Sequence, residues 1–245
     1  MTWTSRLASK QQVRQGIPVG STGLGWVWSN RTIVLKSVPN PSWPSISFVV
    51  NVLQSKADIR AQALGQRAAV PAAVRSAFAK RLAVTGPSLV RTEERPFADP
   101  IVSIYQPIKD EADTTKLIDV LAKIGLTTAL PITIARGQHL LFRSWKPGEP
   151  LEAGPWGIGH PLPDAPMVEP DVLFVPLAAF DRRGSRIGYG AGYYDATLAV
   201  LRRKKSVRAI GIAFACQEVL FVPAEPHDEP LDIVVTERDI IMCEL

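Results

Sequence analysis

The sequence predicts an α/β fold, a three-layer α/β/α sandwich around a mostly parallel sheet. Three observations lead there. The run 172–175, VLFV, is apolar without alternation, the pattern of a strand covered on both faces. From residue 55 onward, strand-like runs alternate with segments of helical period. The stretch 171–195, DVLFVPLAAFDRRGSRIGYGAGYYD, reads as strand, polar loop, glycine turn and helix, a unit that places ligands at the carboxyl ends of the strands. With 245 residues and 46% hydrophobic content, the chain has ample apolar material for such a core.

Taken in order, Ser55 is placed to cap a first helix over 56–67, with Asp58 in the turn where the helix dipole favours a carboxylate. A second helix is expected from Pro71 to about Leu82. The β-rich run 101–105 leads into a polar loop, 106–110. A helix over 114–125 follows, with Leu117, Ile118, Val120, Leu121 and Ile124 as its apolar stripe and Gly125 as its C-cap. Strands are expected at 127–130, closed by Pro131, and at 140–145. A loop rich in Pro and Gly, holding Trp156 and His160, then runs to Pro170; loops of that length tend to carry function. After the central strand and its turn, Tyr194, Leu198 and Leu201 recur at helical spacing over 193–205. Strands at 208–214, 232–236 and 240–243 complete the sheet.

Charge divides the chain unevenly. Residues 1–54 contain Arg6, Lys10, Arg14, Arg31 and Lys36 and no acidic residue, so the whole net charge of +5 falls there and the remainder is balanced. No basic face is therefore implied for the folded part, which argues against nucleic acid as a partner. The same segment holds Trp3, Trp26, Trp28 and Trp43 without periodicity. A poorly ordered tail or a translated leader fits this texture, and so does a transit peptide, which would place the protein in mitochondria. Without that peptide a reducing, cytoplasmic home is expected, because Cys216 and Cys243 are too few for a disulfide framework. No apolar run approaches the length of about 20 residues needed for a membrane helix.

Chemistry concentrates at the glycine turn. Gly188, Gly190 and Gly192 allow positive φ and let backbone amides approach an anion, and the helix behind them adds unpaired N–H groups. Arg186 offers a guanidinium fork for a phosphate oxygen. Asp195 has two readings: a helix cap, or a carboxylate facing the phosphates across magnesium. Lys56, Arg60 and Arg67 share a broad helix face that is either solvated or directed at phosphate. Likewise, Glu225, His227, Asp228 and Asp232 are either plain loop residues or carboxylates facing Asp195 across a metal.

Five motifs in order then make a family recognisable: SKADIR at 55–60, Tyr105 with DEADT at 110–114, FRSW at 142–145, FDRRGSRIGYGAGYYD at 180–195, and PHDEPLD at 226–232. Together they make the chain from about residue 55 to 239 resemble the 5-formyltetrahydrofolate cyclo-ligases, also called methenyltetrahydrofolate synthetases. The resemblance implies the fold shared by sugar-phosphate isomerases and CoA transferases, with a catalytic domain over 55–245 and an extension over 1–54 outside it. It also implies ATP-dependent closure of 5-formyltetrahydrofolate to 5,10-methenyltetrahydrofolate with magnesium. The expected partners are 5-formyltetrahydrofolate and ATP, with no nucleic acid or membrane, and the protein is expected to act as a monomer.

Carried over by position, the resemblance makes Lys56, Arg60, Arg186 and 188–194 (Gly188, Tyr189, Gly190, Ala191, Gly192, Tyr193, Tyr194) the ATP contacts. Lys56, Arg186 and Tyr193 are the catalytic candidates among them. Glu111 is assigned to the pterin, with Gln106, Trp145, Tyr193 and Gln217 as further folate candidates. Asp195 and Asp228 are the magnesium carboxylates. Tyr189 and Ala191 stand at positions that vary in the family, and Ala191 removes a possible phosphate contact. A binding protein without turnover, or another enzyme on the same fold, are the competing classes. The joint presence of Lys56, Glu111, Arg186, Asp195 and Asp228 favours the cyclo-ligase.

Overall fold

A computed structural model describes residues 54–91 and 97–244, Trp156 by its backbone only, together with the backbone of three earlier strands. By internal contacts the chain divides into Met1–Ser55 and Lys56–Leu245. In the first unit, strands β1 (Leu24–Ser29), β2 (Thr32–Ser37) and β3 (Phe48–Val50) pair as an antiparallel meander. Apart from those strands and Gln54, the expected extension, 1–54, lies outside the described residues.

The second unit opens with helices α1 (Lys56–Ala68) and α2 (Ala72–Val90). Then come β4 (Ile101–Ser103), α3 (Thr115–Lys123), β5 (Thr127–Ile132) and β6 (Leu141–Ser144). A hairpin of β7 (Leu151–Ala153) and β8 (Gly159–Pro161) occupies the long loop. Next are β9 (Val172–Pro176), a small hairpin of β10 (Ala179–Phe180) and β11 (Arg186–Ile187), and α4 (Tyr193–Lys204). The chain ends with β12 (Arg208–Ile212), β13 (Ile233–Val235) and β14 (Ile240–Met242). The main sheet runs β14-β13-β12-β9-β4-β5-β6, parallel from β13 to β5 with antiparallel edges.

Period-two alternation sorts the central strands between two layers. Val172, Phe174, Ile210, Ile212, Ile233 and Val235 face α2 and α3, joining Phe78, Leu82, Leu117 and Leu121. On the other face Leu173, Val175, Ala209 and Val234 meet Leu198 and Leu201 of α4. Each such side chain, fully buried, contributes about 2 kcal/mol at most relative to exposure. This is the expected three-layer α/β/α sandwich. Among the described residues no helix is long and apolar enough to cross a membrane.

Element boundaries differ from expectation where distant residues intervene. α2 continues past Leu82 to Val90, through Gly86 and Pro87, two residues that weaken a helix locally. Its far end is held by Arg208, 3% exposed, whose guanidinium donates to the carbonyls of Leu89 and Val90, both at 3.1 Å. Those carbonyls have no partner within the helix. Gly86 also lets Leu117 of α3 approach: a Cβ there would lie 2.4 Å from Leu117 Cδ1. β5 runs through Pro131 instead of stopping there. Thr128 faces β6 and Ala129 faces β4 with their backbone groups, so the nitrogen of Pro131 points to the β4 side, where pairing has already ended. Pro71 precedes α2 as its N-cap, and Ile124, expected in the core, is exposed while Gly125 turns the chain at φ 86°.

Candidate active site

The carboxyl ends of β4, β9 and β12 share one edge of the sheet, and the segments leaving them carry most of the expected site residues. α1 lies over the small hairpin, anchored by Ile59 and Ala63 against Ala179, Ile187 and Val222. Its charged face, at four- and seven-residue spacing, is thereby turned toward the glycine turn. Lys56 Nζ reaches Asp228 Oδ2 at 2.6 Å and Glu225 Oε2 at 2.7 Å. Arg60 Nε donates to Gly188 O at 2.6 Å, and Arg67 Nη2 to the Tyr189 hydroxyl at 2.6 Å. The solvated-face reading of these cations therefore gives way to one in which all three tie α1 to the loops. Partial burial pulls the Lys56 ammonium down, but its bonds to Asp228 and Glu225 outweigh this and hold it above its usual range. The reciprocal pull of Lys56 holds Asp228 low against its own desolvation.

The turn provides what glycine spacing promised at two of its three glycines: Gly190 has φ 94° and Gly192 φ 71°. Gly192 is the N-cap of α4 and offers no side-chain acceptor, so the first N–H groups of that helix carry no side-chain cap. Ala191 stands between them. Asp195 is not the cap. It occupies the first turn of α4, where Oδ1 accepts from Arg186 Nη2 at 2.7 Å and from the backbone N–H of Glu229 at 3.1 Å. Arg186 also donates to the Glu229 carbonyl, and its side chain is 4% exposed. Burial lowers the guanidinium's pKa, and Asp195 opposes that shift.

Glu111 sits beyond β4, 9% exposed, with Oε2 accepting from the Ile108 N–H at 2.9 Å. Burial pushes its carboxyl up, while that hydrogen bond, the Arg67 charge and the Tyr189 hydroxyl offset only part of the shift. The Tyr194 phenol is pushed up by burial and by the charge of Glu111. Tyr193 packs its ring against the core under α4 and accepts from Thr197 Oγ1 through its carbonyl.

The remaining folate candidates are spread more widely. Gln106 Oε1 accepts from Gly159 N at 2.9 Å and so ties the β7–β8 hairpin to the end of β4. Trp145 lies at the end of β6, half-buried against the core, with Nε1 donating to Glu149 O at 3.1 Å. Gln217 is 1% exposed; Nε2 donates to Leu177 O and Ala178 O, and Oε1 accepts from Phe214 N. It joins the ends of β9 and β12.

Ligand atoms of Glu225, His227 and Asp228 lie within 4.8 Å of one another, and Asp195 is not part of that group. Two members of the constellation were given no role by the motif reading, although Asp181 stands within the 180–195 motif. Arg75 donates to the carbonyls of Arg67, Val70 and Asp110, fixing the end of α1 to the loop before Glu111. Asp181, 1% exposed, accepts from Arg183 N, Ser185 N and Val222 N and shapes the hairpin ahead of the turn. The DRRG run after an apolar pair was the available signal for that hairpin.

Residues 52–237 match the model of the 5-formyltetrahydrofolate cyclo-ligase family. The chain belongs to that family. The 5-formyltetrahydrofolate cyclo-ligase of Mycolicibacterium smegmatis is 32% identical over 199 residues, covering 76% of this chain and 95% of the relative. That of Haemophilus influenzae is 36% identical over 140 residues, 55% of this chain and 74% of the relative. Among solved structures, the 5,10-methenyltetrahydrofolate synthetase of Aquifex aeolicus superposes with a TM-score of 0.63 at 27% identity, covering 76% of this chain and 92% of the other. As a cyclo-ligase family member the chain is an enzyme, and the family match contains the α1 cations, Glu111, the glycine turn and Asp228.

Proposed function

We propose that this cyclo-ligase converts 5-formyltetrahydrofolate to 5,10-methenyltetrahydrofolate at the expense of ATP, through a phosphorylated formyl intermediate, an iminophosphate. One observation carries the proposal: Arg60 of α1 is bound to the glycine turn that opens into the uncapped N-terminus of α4, with Lys56 and Arg186 on the adjoining 225–229 loop. That is a cradle for a polyphosphate. Glu111, a buried carboxylate whose Oε2 accepts from the Ile108 N–H, is a natural acceptor for the donor edge of a pterin.

The oxygen of an N-formyl group is a poor leaving group, which is why phosphorylation precedes ring closure in this reading. The formyl oxygen forms a bond to the γ-phosphorus while the bond to the ADP oxygen breaks. N10 then adds to the formyl carbon and gives up its proton, and phosphate departs with the formyl oxygen. The protein's task is alignment and charge neutralisation. Lys56, Arg60 and Arg186 supply positive charge, the turn supplies N–H donors, and the Tyr193 backbone begins the helix that presents them. Magnesium, when bound with ATP, neutralises phosphate charge. Asp228 and Asp195 are the residues that would hold it, and carboxylates suit a hard cation that keeps waters and phosphate oxygens as its other ligands.

Residues 55–245 form the catalytic domain, acting as a monomer in a reducing, cytoplasmic compartment; protein lacking 1–54 retains turnover in this reading. The experiment is direct. Protein, magnesium, ATP and 5-formyltetrahydrofolate are mixed and the near-ultraviolet absorbance of the methenyl product is followed. Absence of an ATP-dependent signal from folded protein overturns the proposal.

A further inference from the structure

Arg75, in the first turn of α2, is bound through every nitrogen of its guanidinium. Nε donates to Val70 O at 3.0 Å, Nη2 to Arg67 O at 2.5 Å and Nη1 to Asp110 O at 2.6 Å. The first two acceptors lie at and just beyond the last turn of α1, where carbonyls lack helical partners, and an arginine bound to them alone would be a cap. The third acceptor belongs to the turn that carries Glu111. Glu111 N donates to Ile108 O at 3.1 Å, Glu111 Oε2 accepts from Ile108 N at 2.9 Å, and Lys109 between them has φ 51°. Among the described residues Lys109 is the one non-glycine residue with positive φ. A residue with a Cβ keeps that conformation only where its surroundings hold it. The Arg75 guanidinium is itself held 5.3 Å from the ring centroid of Phe214, which is fully buried beyond β12.

We infer that Arg75 is a positioning residue for folate, setting Glu111 in the place from which it meets the pterin. The inference rests on the reading above, in which Glu111 addresses folate and magnesium-ATP occupies the glycine turn. Arg75 supplies geometry more than charge. Three carbonyls in separate segments need a rigid fork with separate donors, whereas a lysine ammonium is one point on a flexible stem. The nucleotide end of α1 has anchors of its own: Ile59 and Ala63 in their apolar cluster, Lys56 on Asp228, and Arg60 on Gly188. Loss of the fork therefore reaches the folate end and spares the other.

The test is a double-mutant cycle in full-length protein. Calorimetric titration gives the affinity for 5-formyltetrahydrofolate and, separately, for magnesium with the β,γ-imido analogue of ATP. Arg75→Lys is expected to weaken folate binding about tenfold while nucleotide affinity stays within about twofold. In a Glu111→Gln background the same substitution is expected to change folate affinity by less than about twofold, because the group it positions is already altered. A cap of α1 alone, or a direct contact of Arg75 with folate, would give the same loss in both backgrounds and overturn the inference. Equal weakening of both ligands would overturn it too. Should the Lys variant not fold, Arg75→Gln, which keeps a donor amide without the charge, carries the same cycle. Each of these contrary results leaves the proposed function standing. Wild type that forms no methenyl product with ATP overturns both.

Discussion

Lys56 Nζ lies 2.6 Å from Asp228 Oδ2, across 172 residues of sequence. The ammonium and the carboxylate therefore neutralise each other. Under the proposed function, entry of magnesium-ATP would exchange one pairing for two, Lys56 gaining a phosphate oxygen and Asp228 the cation. Such an exchange costs little, since neither charge is left alone at any stage.

The first prediction follows from that exchange. Lys56→Met raises KM for ATP by about tenfold or more, because a charge-assisted hydrogen bond is worth about 1.5–3 kcal/mol. KM for 5-formyltetrahydrofolate stays within about twofold, since the lost contact is at the nucleotide end. Lys56→Arg recovers part of the loss. Initial rates with each substrate varied in turn give the answer, and equal increases in both KM values would make Lys56 a structural tie between α1 and the 225–229 loop.

Asp195→Asn separates two roles that the sequence could not. As a magnesium ligand alone, Asp195 should be replaceable by Asn without effect on folding. The structure gives it a buried cationic partner, Arg186, 4% exposed, with the Asp195 side chain itself 25% exposed. Removing the charge leaves that guanidinium uncompensated, and a loss of about 2 kcal/mol is expected, below the value for a fully buried pair because solvent reaches the carboxylate. Urea unfolding reads it as a lower midpoint at unchanged slope. An unaltered midpoint, with a defect that excess magnesium repairs, would restore the ligand-only role.

Much of this was legible because periodicity is a local signal. The strand VLFV, the helix after the glycine turn and the cations of α1 declare themselves within one or two turns of chain. The end of α2 does not, since Gly86 and Pro87 argue against helix and the groups that sustain it, Arg208 and Leu117, are far away in sequence. Site residues follow the same division. Resemblance to the family grouped Lys56, Arg186, Asp195 and Asp228 in one cleft, where spacing alone left bland alternatives open, but which cation meets which carboxylate depends on how the 225–229 loop folds back over α1 and α4. Gln217 illustrates the opposite case: a residue matched to the folate pocket by resemblance has all its side-chain bonds committed to backbone.

Glu111 ties pH to stability with an unusual sign. Burial raises its pKa above the ordinary carboxylate value, against the opposing pull of the Ile108 N–H, Arg67 of α1, Tyr189 of the turn and Lys109 beside it; Tyr105 and Tyr194 also face it. Folded protein therefore holds this proton more tightly than unfolded chain. As pH rises from the unfolded value through the folded one, the ionised carboxylate must be carried in a desolvated site, and stability falls. Glu111→Gln removes that dependence. The variant is expected to be more stable than wild type above the window, with the difference vanishing in acid, and to bind 5-formyltetrahydrofolate more weakly. Urea midpoints across the acid range measure the first; a wild-type curve parallel to that of the variant would contradict it.

Gly184→Ala tests how the hairpin before the turn holds the site together. Gly184 has φ 81°, and a Cβ there would lie 2.4 Å from the carbonyl oxygen of Leu231 and 3.2 Å from its nitrogen. Those atoms are backbone beside a fully buried side chain, and Leu231 N already donates to Gly184 O at 2.9 Å, so the neighbour has nowhere to move. Left-handed strain and overpacking together should cost about 2–4 kcal/mol. Gly125→Ala provides the control, because Gly125 has a similar φ of 86° with nothing within 4 Å of its Cβ position. It should lose only the conformational part, about 1–2 kcal/mol. The gap between the two variants measures the clash alone. Activity should follow the same order, since Leu231 precedes Asp232, which Arg202 links to Glu229 and hence to Arg186 and Asp195. Equal losses in both variants would mean that the hairpin tip does not anchor the loop.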